Sequence, residues 1–322
     1  MAELPVPGPE LTAGDAAGDT ARASLDPAAI GRLVPEPVLD LLRTLWSGGH
    51  AAYVVGGSLR DAFLGRVAED WDLATSALPE QIVELIPEAV YENRFGTVAV
   101  RSDGKPYEIT TFRSDHDYAD HRRPHRVEFG TSLEADLARR DFTVNAIAWG
   151  AEGAHEPTLV DPFGGRDDVG ARTLRAVGEP LRRFEEDALR MIRAVRLATT
   201  LDFAIESATL AAIRAQAPLV SHLSGERIAA EIGRLLAAPR PSVGLRLLAE
   251  TGLLGHVSAE LAAQRGIAQN KIQGEDMWDH TLRTVDAAIP HPIVRLAALV
   301  HDIGKPATAA DGHFYGHETV GA

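Results

Sequence analysis

The chain contains no cysteine among its 322 residues. Disulfides, thiolate metal sites and cysteine nucleophiles are therefore excluded, and a reducing compartment fits. No apolar run reaches the ~18–20 residues that a membrane-spanning helix needs. The N-terminus also lacks the charged-then-apolar order of a secretory signal. A cytoplasmic protein with no membrane partner is the expectation. Basic residues are scarce too: 32 Lys and Arg stand against 46 Asp and Glu, for a net charge of −14. That argues against a uniformly basic nucleic-acid sleeve. A local basic track is enough for phosphate contacts, and Arg182 to Arg196 supplies one. The length permits more than one domain.

The chain is organised around Tyr53 to Ser76, YVVGGSLRDAFLGRVAEDWDLATS. Val54 and Val55 read as a buried strand that breaks at Gly56-Gly57. Ser58 reads as a helix N-cap, Leu59, Ala62, Phe63 and Leu64 as the apolar helix face, and Gly65 as its stop. Asp70-Trp71-Asp72 then opens a second strand. Alternation puts Asp70 and Asp72 on one face and Trp71 on the other. Two carboxylates beside a glycine turn at a helix start make a site for divalent cations and phosphates. Taken singly, each part reads equally as an ordinary turn or a solvated strand edge.

Residues 1–26 read as a disordered lead-in, rich in Pro, Gly, Ala and acid. A helical pattern begins at Ile30, and another at Leu78-Pro79-Glu80. Two strands, Phe95 to Arg101 and Tyr107 to Phe112, flank a turn at Ser102 to Lys105. Glu108 on the second is a candidate third carboxylate, or else a structural partner for Arg113. Arg113 to Arg126 is polar and reads as a mobile surface loop. Leu137, Phe142, Val144 and Ile147 fall at helical spacing, with Arg139, Arg140, Asp141 and Asn145 on the polar face. Residues 179–199 read as one helix with a core stripe of Leu181, Phe184, Ala188, Ile192 and Val195. Asp187, Arg190, Arg193 and Arg196 lie around its remaining surface, an arrangement that could equally be a surface ion pair with exposed arginines.

The order Gly-Gly-Ser-x-Arg-Asp, short helix, Asp-x-Asp resembles the signature of the DNA polymerase β-like nucleotidyltransferases. RRDFTVNAIA, LVDPFGGRDD and RAVGEPLRRFEEDALRMIRAVRLA further resemble motifs of the class II tRNA nucleotidyltransferases and the related poly(A) polymerases. The resemblance implies an α+β fold: a polymerase β-like head with a small mixed sheet (27–170), a helical neck (171–235) and a helical body (236–275). It implies CCA addition to the tRNA 3′ end from CTP and ATP, with two Mg²⁺ ions on Asp70 and Asp72. Gly56, Gly57 and Arg60 would hold the triphosphate. Arg140, Arg193 and Arg196 would contact nucleotide, and Asp187 with Arg190 would pair with the base. Cytosine and adenine both offer an amino donor beside a ring-nitrogen acceptor, which an Asp–Arg pair complements; guanine and uracil do not. Poly(A) polymerase and enzymes adding only CC or only A share these motifs.

Residues 276–322 resemble part of an HD domain through His280, His301-Asp302 and His317. Imidazoles and a carboxylate at this spacing could hold a hydrolytic metal on His280, His301 and Asp302, which makes an RNA phosphohydrolase the rival from another class. The chain stops at Ala322 and the distal Asp of the HD pattern does not follow, so an incomplete HD fold is expected. The residues carry no signal for oligomeric state.

Overall fold

The computed structural model describes residues 27–68, 70–93, 96–116, 126–130, 132–268, 272–310 and 313–322. The expected lead-in at 1–26 lies outside them. The chain divides into two compact units, the first ending at Ala171 and the second running over Arg172–Ala322.

The first unit begins with helices α1 (Pro27–Gly31) and α2 (Glu36–Ser47), and also holds α4 (Pro79–Leu85) and α6 (Gly165–Gly170). α2 buries Val38, Leu41, Leu42 and Leu45, one stripe at i, i+3, i+4 and i+7. Its sheet contains β1 (Ala51–Val55), β2 (Asp72–Thr75), β3 (Val90–Asn93), β4 (Thr97–Ser102), β5 (Lys105–Thr111), β8 (Ala148–Glu152) and β9 (Thr158–Val160). The order across it is β3-β4-β5-β2-β1-β8-β9. β2 runs parallel to β5, whereas β1 is antiparallel to both β2 and β8. The sheet is therefore mixed, as expected. Central β1 buries Ala52 to Val55 without alternation, because both of its faces are covered. The β4–β5 hairpin turns at Asp103 (φ 50°) and Gly104 (φ 77°). Positive φ at both central positions suits the right-handed strand twist, and an Asp-Gly pair supplies it cheaply.

Several expectations change here. The helix after β1 is α3 (Gly57–Phe63), capped by Gly56; Ser58 lies one residue inside it, its hydroxyl directed at Val55 O. The segment expected as a mobile loop begins and ends in paired strands, β6 (Arg113–His116) and β7 (Arg126–Phe129); residues 117–125 lie outside the described residues. The helical spacing read across Leu133 to Trp149 resolves into three elements: α5 (Leu133–Ala138), a 3₁₀ turn at Thr143–Asn145, and β8. Phe142 to Ala151 is buried throughout, and a wholly buried segment loses the periodicity that separates helix from strand. The turn is made by Asp141, whose Oδ1 accepts from Phe142 N–H (2.8 Å) and Asn145 Nδ2 (3.1 Å). Glycine is required at 165, where a Cβ would lie 2.0 Å from Thr143 O.

In the second unit the single helix expected over 179–199 is two, α7 (Pro180–Glu186) and α8 (Leu189–Leu201). Asp187 between them is extended (φ −150°, ψ 103°), and its Oδ1 accepts from Leu189 N–H at 3.1 Å. A carboxylate offering that bond competes with helix continuation. The stripe of Phe184, Ala188, Ile192 and Val195 is fully buried, but Leu181 is 42% exposed and does not belong to it. Helices α9 (Ser207–Gln216), α10 (Gly225–Leu236), α11 (Pro241–Glu250), α12 (Leu253–Val257), α13 (Ala259–Ala262), α14 (Met277–Ala287), α15 (Pro292–Val300) and α16 (His317–Gly321) complete the unit.

Candidate functional site

β1 delivers the chain to Gly56, whose φ of 82° and ψ of −137° are open only to glycine. A Cβ there would lie 2.9 Å from Arg140 Nη1. The turn starts α3 beside a pocket of about 320 Å³ lined by Gly57, Ser58, Arg60, Asp61, Val67, Asp70 and Asp72. Asp70 precedes the strand, which begins at Asp72 rather than at Asp70 as expected. The alternation nevertheless holds: Asp70 and Asp72 are exposed, while Trp71 and Leu73 are buried. The two carboxylates thus share the pocket and Trp71 enters the core. Asp72 pairs in register with Val55 on one side and with Glu108 on the other. Register partners on adjacent strands point to the same face, so exposed Glu108 stands beside Asp72.

The surrounding protein raises the Asp72 carboxyl above its ordinary range, although the residue's edge reaches solvent; Arg140 opposes the rise and Asp70 adds to it. Like charges held this close are relieved by a cation. Arg60 reaches the pocket already committed. Its Nε and Nη2 donate to Asp61 at 3.0 Å each, and its Nη1 donates to Asn145 Oδ1 at 2.5 Å. Arg140 donates from Nη2 to Asp136 Oδ2 at 3.2 Å, while Arg139 donates from Nε and Nη2 to Asp136 Oδ1 at 2.9 and 2.8 Å. Asp136 is 1% exposed. Its burial alone would raise its pKa, but the two guanidiniums outweigh that and hold it below the usual carboxylate value.

The four residues expected on the base-reading helix lie in the second unit. Asp187 Oδ2 accepts from Arg227 Nη2 at 2.8 Å. Arg190 Nη1 donates to Glu186 Oε2 at 2.9 Å and to Arg183 O at 3.2 Å. Arg193 and Arg196 are half-buried on α8. Arg196 Nε bonds Glu231 Oε2 at 2.5 Å, and Glu231 also takes Arg234 at 3.2 Å. Burial lowers the Arg196 pKa, with Glu231 opposing and Arg193 and Arg234 adding to the fall.

Sequence reasoning missed the groups that hold these side chains. Asp136 was recoverable, because it sits three and four residues before Arg139 and Arg140 on one helix face. Asp61 adjoins Arg60. Glu186, four residues before Arg190, was equally open to that test. Arg227 and Glu231 carried no such signal, since their partners are 40 and 35 positions away.

His280, His301 and Asp302 do converge: one ligand atom from each lies within 4.8 Å of the others. Asp302 Oδ2 is 3.1 Å from His301 Nε2 and 3.6 Å from His280 Nε2, and His317 Nε2 is 3.8 Å from Oδ1. His301 Nδ1 donates to Ala298 O at 2.7 Å, and its Nε2 faces both Asp302 Oδ2 and, at 3.3 Å, His280 Nε2. Lys305 Nζ already sits 2.6 Å from Asp302 Oδ2.

Residues 52–175 match the Poly A polymerase head domain, and residues 202–264 match a family described as the probable RNA and SrmB-binding site of polymerase A. The CCA-adding enzyme of Geobacillus kaustophilus is 43% identical over 81% of this chain and 65% of its own length. That of Geobacillus thermodenitrificans is 49% identical over 68% of this chain and 53% of its own. This chain therefore spans between half and two thirds of those relatives. Among solved structures, the Bacillus stearothermophilus CCA-adding enzyme in complex with CTP superposes with a TM-score of 0.68 at 39% identity, covering 84% of this chain and 64% of that one. A tRNA nucleotidyltransferase complexed with a primer tRNA and an incoming ATP analogue gives 0.61 at 26% identity, covering 81% and 75%. With the head domain matched, relatives at 43% and 49% identity and the same fold in solved structures, the chain belongs to the family of the poly(A) polymerases and the CCA-adding tRNA nucleotidyltransferases.

Proposed function

We propose that this chain adds C and A to the 3′ end of tRNA from CTP and ATP, without a nucleic-acid template. The observation that carries the reading is one pocket shared by Asp70, Asp72, Gly57 and Arg60, with Glu108 in register beside Asp72. The relatives named CCA-adding enzyme, and the solved complexes with CTP and with primer tRNA, support it. The family implies a divalent metal. The donor set fits one, because solvent-facing carboxylate oxygens suit a hard cation. Asp70 and Asp72 would hold two Mg²⁺ ions, with Glu108 as the third carboxylate. When bound, such ions supply activation of the RNA 3′-hydroxyl and stabilisation of the leaving pyrophosphate.

The rest is work for the chain's own residues. The Gly56-Gly57 turn has no side chain to keep a triphosphate from the backbone N–H groups. Arg60 and Arg140 add positive charge beside the carboxylates, each fixed by its own acid, Asp61 and Asp136. Asp187 accepts from the base's amino group and Arg190 donates to its ring nitrogen, which favours C and A over G and U. Arg193 supplies further charge towards nucleotide. Arg196, bonded to buried Glu231, would act there only by sharing that bond. In the test, tRNA lacking its 3′ end is incubated with each NTP alone and in mixtures. Products that stop after C, C, A are expected. Long A tails would assign poly(A) polymerase instead, and a stop after CC or after A alone a partial enzyme.

A second reading rests on the convergence of His280, His301 and Asp302. These residues would hold a separate divalent ion, with Lys305 moving off Asp302 to admit it, as a hydrolytic centre on RNA phosphates. Equilibrium dialysis against Mn²⁺ tests this in the Asp70→Ala/Asp72→Ala protein. Metal retained there and lost on adding His301→Ala is expected. A double variant that holds no metal refutes the second site.

A further inference from the structure

We propose that Asn145 is a positioning residue for the triphosphate: a neutral acceptor that holds the Arg60 guanidinium against the Gly56-Gly57 turn without cancelling its charge. The inference rests on the reading of that turn and Arg60 as holders of the triphosphate.

Arg60 is 8% exposed, so its direction is set by the protein rather than by solvent. A guanidinium has five N–H donors. Three are spent: Nε and Nη2 on Asp61 at 3.0 Å each, and Nη1 on Asn145 Oδ1 at 2.5 Å. Two are left, one on each terminal nitrogen. Those nitrogens lie against the turn, since a Cβ on Gly57 would meet Nη2 at 3.2 Å and Nη1 at 3.6 Å. The remaining donors thus stand beside a glycine whose bare backbone lets a phosphate approach. Asp61 grips one edge of the fork from the next residue in the chain. Asn145, at the end of the 3₁₀ turn and 85 positions away, takes the far nitrogen and fixes which way the plane faces.

The choice of an amide is the second observation. Asn145 is itself 8% exposed, and its Nδ2 donates to Asp141 Oδ1 at 3.1 Å. The amide is therefore oriented from both ends: only its carbonyl can face a guanidinium, and only its amino group can face a carboxylate. Asp61 already offsets the Arg60 charge. A second carboxylate at 145 would leave the cluster net negative where a polyanion is to bind. An amide carbonyl makes a bond in the same place and brings no charge. The residue also stands by the other arginine of the site. Its backbone O lies 3.5 Å from Arg140 Nη1, and a Cβ on Gly56 would meet Arg140 Nη1 at 2.9 Å and Asn145 O at 3.7 Å. Gly56 N–H donates to Ile147 O at 3.1 Å, which keeps the glycine turn in register with the segment that carries Asn145.

The experiment is equilibrium binding of CTP and CMP to the whole chain without tRNA, so that no transfer occurs, in wild type, Asn145→Ala, Asn145→Asp and Arg60→Met. CMP shares its base and ribose with CTP, so the ratio of the two affinities reports the added phosphates. Asn145→Ala should weaken CTP by about tenfold, within the range for one charge-assisted hydrogen bond, and leave CMP nearly unchanged. ATP against AMP should show the same loss, because the base takes no part in it. Asn145→Asp keeps the shape and adds a charge, so it should weaken CTP further than Asn145→Ala; it carries the test if the alanine variant does not fold. A merely structural residue would weaken CTP and CMP alike together with the melting temperature, or leave both variants unfolded; either outcome overturns the proposal. If Arg60→Met removes the CTP-over-CMP margin while a folded variant at Asn145 keeps it, Asn145 loses the role and that of Arg60 stands. If Arg60→Met keeps the margin, the triphosphate reading itself falls and takes this inference with it.

Discussion

Asp70→Ala should lower transfer of both C and A by about a thousandfold or more. Losing a metal-holding carboxylate forfeits several kcal/mol of transition-state stabilisation, and each 1.36 kcal/mol is tenfold. The loss should be common to both nucleotides, since Asp70 shares its pocket with Gly57 and Arg60, the proposed holders of the triphosphate. Stability should barely move. Asp70 is exposed and precedes its strand, and surface changes of that kind usually fall within about 0.5 kcal/mol. The measurement pairs single-turnover incorporation with a thermal melt. An unchanged melt with transfer abolished supports the assignment. Substantial Mg²⁺-dependent transfer by Asp70→Ala would remove the carboxylates from the reaction.

Asp136→Ala has the opposite profile, a large loss of stability together with activity. Asp136 is the shared counter-charge of Arg139 and Arg140, whose side chains are only 18% and 19% exposed. Stranding them should cost about 3 kcal/mol, the low end for a broken buried pair because each guanidinium retains some water. At roughly 2–4 °C per kcal/mol, the melt of the first unit should fall by roughly 6–12 °C. The sign with pH follows from the lowered Asp136 pKa. A depressed carboxylate stabilises the fold above its unfolded value, about 3.9 for Asp, and that contribution disappears as pH falls through the lower folded value. Wild type should therefore lose stability on acidification below about pH 4 by an amount the variant no longer has to lose. Equal acid limbs for the two proteins would contradict this account. Transfer should fall as well, since Arg140 would lose its anchor beside Gly56 and Asp72.

The legible part of the site was the part written in local pattern. Gly56-Gly57, the short helix and the alternation of Asp70, Trp71 and Asp72 lie within a few residues of each other, and each obeys a short-range rule. Glu108 was readable only as a candidate, because its position beside Asp72 comes from a parallel strand pair that no local rule predicts. The 179–199 segment shows the limit from the other side. Its apolar spacing is continuous, yet Asp187 ends one helix and starts the next. Periodicity records which side chains face the core and says little about one residue's backbone between them. Leu133 to Trp149 failed for a related reason: Asp141, Thr143 and Asn145 are polar yet buried, so polarity no longer marked a solvent face. Arg227 and Glu231 could not be read at all, since a long-range charge partner leaves no trace in its neighbours.

The pairing of β2 with β5 also sets when Asp72 and Glu108 come together. Those strands run the same way, so the intervening chain must cross over and complete the β3–β4–β5 meander before Asp72 and Glu108 can meet. Such long-range closure comes late in folding. On the proposed reading, a nascent or damaged head would lack the full set of acids, and competence would arrive together with the finished sheet.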